Sequence, residues 1–307
     1  GGRTDFYMWK PVFLDYSYNF AVRNFRHGSF GNITKIDNTR QVKNSESFFS
    51  VAAGMPLAHR GVFLIRANGG HVNYRYDSDE LFADDTDHSR YSFFGIKAEL
   101  ARNTLDKFLY PRRGSDLKLS GIFVTGRDKY EPFDAEKFLS RTSRQWVGAR
   151  LTWDKYFDMP GCSWFSLGLN VDGVITNHPE FTTEGATVMS MPAYEPVPHA
   201  QMIYMPDFRG KRFAAGGVMP TFDLMPNFFL RTGFYAMFRE KRSFVPGVSG
   251  PVEDKRWHYI AEASLVYHTP IGPVSLALTK YDLRNWKNMY LTFNFGYAIF
   301  APKGTFY

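Results

Sequence analysis

The feature that most constrains this chain is an alternation of period two that runs in long segments from end to end. In "NMYLTFNFGYAIF" one face carries Leu291, Phe293, Phe295, Tyr297 and Ile299, and the other Thr292, Asn294, Gly296 and Ala298. Successive side chains of a strand point to opposite faces, so this is a strand with one apolar face and one small or polar face. "WFSLGLNVDGVI" sets Phe165, Leu167, Leu169 and Val171 against Ser166, Gly168, Asn170 and Asp172. "SFFGIKAELAR", "FFLRTGFYAMFRE" and "YIAEASLVYH" alternate in the same way.

About twelve such segments fit the template, near 12–25, 46–56, 59–74, 90–103, 115–127, 143–157, 162–176, 212–224, 227–240, 257–269, 272–283 and 288–300. Their length of about 10–14 residues exceeds the 5–6 usual in soluble strands and suits a tilted bilayer crossing. The connections alternate in size. "MPLAHRG", "DLMPN" and "TPIGP" are short and carry the Pro and Gly of tight turns, whereas "DSDELFADDTDHS" and "REKRSFVPGVSGPVEDKR" are long and charged. Up-and-down barrels have this asymmetry, with short turns on one side and long loops on the other. Helical periodicity is confined to "EPFDAEKFLSR", which fits one short helix in a loop.

The second face bears Lys97, Glu99, Asp172, Arg231 and Glu262, which need partners or water. A wet lumen provides that, and with no helices to cover the apolar face, lipid must. A soluble β-sandwich shares the alternation; strand length and loop asymmetry favour the membrane. Mean hydropathy is −0.33 and no run of about 18 apolar residues occurs, which excludes a spanning helix but not a barrel. Aromatic residues make up 18% of the chain, as lipid-facing bands and girdles require. Tyr74, Trp153, Trp257, Trp286 and Tyr290 are placed as interfacial anchors.

The net charge of +7 is scattered and forms no nucleic-acid motif. A polar lumen or anionic headgroups absorb it, so the partners expected are outer-membrane lipids and lipopolysaccharide, with no nucleic acid. Cys162 is the one cysteine, which excludes a disulfide framework. The expectation is an all-β, antiparallel transmembrane β-barrel over residues 1–307, in a bacterial outer membrane, with further domains or strands before Gly1.

Two stretches go beyond barrel grammar. "AEASLVYHTPIGPVSLALTKYD" closes a hairpin with Pro270, Gly272 and Pro273, and "MPDFRGKRFAAGG" ends the longest loop, roughly 177–211, with Phe208, Arg209 and Gly210. These resemble the BamA-type outer-membrane assembly and secretion superfamily. Its penultimate hairpin has a Pro-x-Gly-Pro turn, and an Arg-Gly loop tip folds into its barrel. "NTLDKFLYPRRGSDLKLSG" and the loop together look most like the branch in which a patatin-like phospholipase precedes the barrel. The resemblance implies sixteen strands and an N-terminal periplasmic or phospholipase domain, with accessory outer-membrane proteins as possible partners. It also implies a lumen closed by the loop, with Arg209 locking it through an acid; Asp172 and Glu262, on inward faces, are the candidates. Lys211 stands where the family has an aromatic, and Arg231 where an acid is usual.

Catalysis has no candidate residues: "GCSWF" at Ser163 and "GVSGP" at Ser249 break the Gly-x-Ser-x-Gly elbow, and Asp172-Gly173 lies inside a strand. An acyl hydrolase would belong to an attached patatin domain. Asp84, Asp85, Asp87 and His88 fit no calcium-loop spacing, and no metal or cofactor is expected. The functional expectation is a barrel that anchors, and translocates or positions, an N-terminal domain. A passive porin, an outer-membrane protein insertase barrel and an adhesion barrel are the alternatives.

Overall fold

The computed structural model describes residues 2–4, 12–26, 41–77, 86–131, 140–159, 161–162, 164–182, 184–197, 200, 205–240, 256–281 and 289–296. They form one antiparallel sheet in which every strand pairs with its neighbours in sequence. The strands are β1 (Gly2–Thr4), β2 (Phe13–Arg26), β3 (Gln41–Leu57), β4 (Gly61–Asp77), β5 (Thr86–Asn103), β6 (Gly114–Glu131) and β7 (Ser140–Asp158). They continue as β8 (Phe165–Thr176), β9 (Arg212–Met225), β10 (Phe228–Arg239), β11 (Trp257–Thr269), β12 (Gly272–Tyr281) and β13 (Met289–Phe295). Each of the twelve segments read from the sequence is a strand, and β1 adds three residues. The sixteen strands of the family pattern are not reached: the described residues hold thirteen, and no ladder among them joins β13 to β1.

Hairpin chemistry explains the short side. His59 and Arg60 both have positive φ (59° and 62°) between β3 and β4, the requirement of a type I′ turn. Asn227, at φ 63°, follows Pro226 between β9 and β10. Pro270 and Ile271 link β11 to β12, where Gly272 takes a φ of 133° that a side chain would oppose.

The outward face is apolar across neighbouring strands. Tyr16, Val51, Ala67, Ile96, Phe123 and Val147 stand abreast on β2 to β7. Tyr16, Phe123 and Val147 are 46%, 41% and 52% exposed, and Phe293 on β13 is 67% exposed. An apolar surface this continuous far exceeds what soluble monomers present to water.

The inward face is not uniformly wet, which corrects the expectation of a polar lumen. Toward the long loops it carries Phe48, Tyr91, Val124 and Trp146, all buried. Toward the turns it carries charge, with Lys97 paired to Glu99 at 2.6 Å and Asp154 accepting from Asn170 at 2.8 Å. Tyr74 and Tyr290, expected as interfacial anchors, also point inward: Tyr74 is buried beside Tyr91, and Tyr290 packs on Tyr281. Trp257 is exposed as expected.

Candidate functional site: a folded segment inside the sheet

The connection between β8 and β9 is the chemistry-bearing part of the chain. It contains helix α1 (Glu184–Ser190) and a 3-10 turn over Pro206–Phe208. The helix has seven residues, too few to show the period of 3.6 in the sequence.

The connection packs against both flanks of the sheet. Phe181, Ala186 and Met189 join the apolar cluster of β3 to β7, with Phe181 5.1 Å from the ring of Tyr91. Tyr194, Val197, Ala200 and Phe208 join that of β7 to β12, with Phe208 edge-on to Tyr281 at 5.8 Å. One segment can touch strands so far apart in the sheet only if the sheet curls around it. The connection is therefore a plug on the concave side.

Polar contacts fasten the plug to the wall. Asp128 on β6 accepts from the Thr182 backbone N–H and hydroxyl, each at 3.0 Å. Arg150 on β7 donates to Asp172 at 2.6 and 3.1 Å and to the Ala193 carbonyl at 3.1 Å. Arg239 on β10 donates to the Asp207 carbonyl at 3.1 Å, and the Tyr194 hydroxyl donates to Asn170 at 2.7 Å. Lys211 lies 3.3 Å from Glu180, a charged contact within the connection.

Arg209 acts inside the plug. Residues 192–194 and 208–210 pair as a short ladder, through Tyr194 N–H to Phe208 O at 2.9 Å and Gly210 N–H to Pro192 O at 3.1 Å. From this ladder the buried Arg209 guanidinium donates to the carbonyls of Met189 and Met191, at 2.8 and 3.3 Å. These lie at the end of α1, where unsatisfied carbonyls and the helix dipole favour a cation. The acid near Arg209 is Glu195, at 3.9 Å.

The two acids expected to receive Arg209 are engaged elsewhere. Asp172 belongs to Arg150, and Glu262 accepts from the Ser264 hydroxyl at 2.6 Å. Asp172 is close to the plug all the same, through Arg150. Phe208 is buried in the plug's second cluster. At Gly210 an added Cβ would meet Arg239 at an ordinary 3.5 Å, so space does not demand glycine there. Pro270, Gly272 and Pro273 form the β11–β12 turn and its start, away from the plug. Arg231 lies over the rings of Tyr110 and Tyr156, at 5.5 and 5.9 Å, in place of a carboxylate pairing.

His178, at the root of the plug, is buried with its ring 4.6 Å from Trp146. Burial holds its imidazole down to about 3, so it is neutral at physiological pH.

The residues between β5 and β6 form a second crossing that sequence reasoning missed. Tyr110 donates its hydroxyl to Ser275 on β12 at 2.9 Å, and Arg112 pairs with Asp223 on β9 at 2.6 Å. Tyr110 also packs with Phe229 and Val266. Nothing in "NTLDKFLYPRRG" distinguishes a turn that folds across the opening from one that hangs away from it.

Ser163, Ser249, Asp84, Asp85 and Trp286 lie outside the described residues, as does all of "EPFDAEKFLSR" but its ends, which belong to β6 and β7. Among those described, no cluster of His, Cys, Asp and Glu is arranged to hold a metal, and no helix is long and apolar enough to cross a membrane.

No family model and no curated protein matches the sequence. Solved structures do match its fold. BamA of Haemophilus ducreyi lacking POTRA domains 1–3 superposes with a TM-score of 0.58 at 12% identity, covering 94% of this chain. The fold is that of a transmembrane β-barrel. This chain spans 59% of that BamA chain's length. The β domain of the Bordetella autotransporter BrkA aligns over 89% of this chain at 10% identity, with a TM-score of 0.36, too loose to build on.

Proposed function

We propose that this chain is the plugged barrel of a bacterial outer-membrane protein, which anchors and positions an N-terminal domain. The observation that carries this reading is the packing of one connection, by Phe181 on one side and Phe208 on the other, against strands on both flanks of the sheet. A passive porin keeps an open aqueous path along its axis. Here apolar side chains and main-chain hydrogen bonds occupy the loop-side half of the lumen, and Tyr110 and Arg112 reach across toward the turn side.

In this reading the apolar exterior sits in the bilayer, the long loops face outward and the short turns face the periplasm. The sequence resemblance supports a patatin-like phospholipase as the anchored domain, and any acyl hydrolysis would be that domain's chemistry. The barrel contributes membrane residence, orientation and a closed lumen whose plug could release for translocation.

Single-channel recording in planar bilayers tests this. The intact chain is expected to give small, erratic currents, and replacing residues 184–208 by a short Gly/Ser linker should give a steady pore. A steady, anion-selective conductance from the intact chain would overturn the plugged reading in favour of a porin.

A further inference from the structure

The cations on the loop side of β3 to β7 are arranged in a way that neither the plug nor the barrel explains. Register places Arg90, Lys129 and Arg141 abreast on β5, β6 and β7. One row further toward the loops, Lys43 stands opposite Arg75 on β3 and β4. All five lie on the outward face, and all but Lys129 are exposed. Like charges directly opposite on neighbouring strands repel across about 5 Å and destabilise the ladder. Among residues whose side chains are described, Glu131, paired with Lys129, brings negative charge to this face. The turn-side rim differs, because Arg112 and Arg113 there have Asp223 and Asp158 at 2.6 and 2.8 Å.

A cavity of about 160 Å³ opens in the same wall, lined by Val22, Lys43, Ser45, Asn73 and Arg75. It combines two cations, a hydroxyl, an amide and an apolar side chain. Phe49 on β3 and Phe94 on β5, both half exposed on the same outward face, stand two side-chain steps nearer the middle of the barrel from Ser45 and Arg90. A ligand that met this whole surface would need phosphate at the level of the cations and hydrocarbon at the level of the rings.

We propose that the loop-side outer wall of β3 to β7 binds the phosphorylated headgroup of an outer-leaflet glycolipid of the lipid A class. Its phosphates would sit between Arg90, Lys129 and Arg141 and beside Lys43 and Arg75, with acyl chains running down past Phe49 and Phe94. Phosphate placed between opposed cations converts their repulsion into charge-assisted hydrogen bonds. The proposal rests on the membrane reading above and adds a specific lipid site to it.

The test uses the full chain folded in detergent micelles, titrated with bisphosphorylated lipid A and followed by thermal unfolding. Two variants remove the cations and keep the shape: Arg90→Gln/Lys129→Gln/Arg141→Gln, and Lys43→Gln/Arg75→Gln. Lipid A is expected to raise the unfolding midpoint of the parent chain, and each variant to weaken the apparent affinity at least tenfold. Without lipid, the Lys43→Gln/Arg75→Gln variant should unfold no earlier than the parent, because repulsion has been removed. Affinity in either variant equal to the parent's, or protection of the parent by dephosphorylated lipid A or by inorganic phosphate equal to that by lipid A, would each overturn the proposal. A parent chain that needs detergent but does not bind lipid A would sink this site alone. Folding in plain buffer would sink the membrane reading with it.

Discussion

Arg209 is buried with a full charge, and its worth depends on what it touches. It closes two carbonyls at the end of α1 and lies near Glu195, so truncation strands acceptors as well as removing a cation. Breaking a buried charge arrangement from one side costs on the order of 3 kcal/mol. Arg209→Ala should therefore loosen the plug, seen as longer and more frequent openings in single-channel records. Arg209→Lys should recover only part, since a single ammonium stands in for the one nitrogen that meets both carbonyls but leaves no second nitrogen on the Glu195 side. His178 gives a second expectation with a defined sign. Its folded pKa, about 3, lies below the ordinary 6.5, so the released plug binds the proton more readily than the packed one. The stability that His178 gives the closed state is complete above about pH 6.5 and falls as pH drops toward 3. Openings should increase with acidification through that window, and His178→Phe, which keeps a ring against Trp146, should flatten the response. An unchanged pH profile in His178→Phe would assign the effect to other groups.

At the scale of elements, β9 and β10 show how the inner wall is shaped. Tyr235 lies nearly flat across Gly217 of β9 and Gly233 of its own strand. An added Cβ would come within 2.1 Å of its ring at Gly217 and 2.7 Å at Gly233. Gly217→Ala must displace a ring that is 1% exposed, an overpacking cost of about 1–3 kcal/mol. Adding Gly217→Ala to Tyr235→Ala should cost much less, so the two changes couple in a double-mutant cycle of thermal unfolding; additivity would mean that the ring does not depend on the glycine. Strands such as these were legible because lipid imposes its own period: Phe228, Leu230, Phe234 and Phe238 had to be apolar whatever lay inside. The inner face was legible only where it was charged. Tyr91, Trp146 and Tyr235 stand at inward positions where the alternation asks merely for something other than lipid. Their role depends on a plug that arrives from far along the chain. Arg209 stood out by its motif, but its partners did not: the choice of α1 carbonyls over Asp172 or Glu262 follows from a seven-residue helix without a sequence signature. Arg150, which ties Asp172 to the plug, was one cation among 37.

For the whole molecule, the decisive physical question is which side of the sheet meets hydrocarbon, and the tryptophans can answer it one at a time. Trp146 is 1% exposed and points into the lumen against His178 and Phe181, whereas Trp164 and Trp257 are each 55% exposed at strand ends. An amphipathic indole at a strand end sits at headgroup level. In vesicles whose acyl chains carry bromine near the headgroup, single-tryptophan variants retaining Trp164 or Trp257 should be strongly quenched. A variant retaining Trp146 should keep its emission, blue-shifted by its dry surroundings. Deep bromine should quench the strand-end tryptophans less than shallow bromine. The same experiment reads the plug, because replacing residues 184–208 removes Ala186 and Met189 from the cluster around Trp146 and should admit water and a red shift. It should still not admit bromine, since the wall of β7 remains between the ring and the lipid. Bromine quenching of Trp146 in the intact chain would mean that the inward and outward faces are exchanged. The lumen, the plug and the lipid surface would then have to be assigned the other way round.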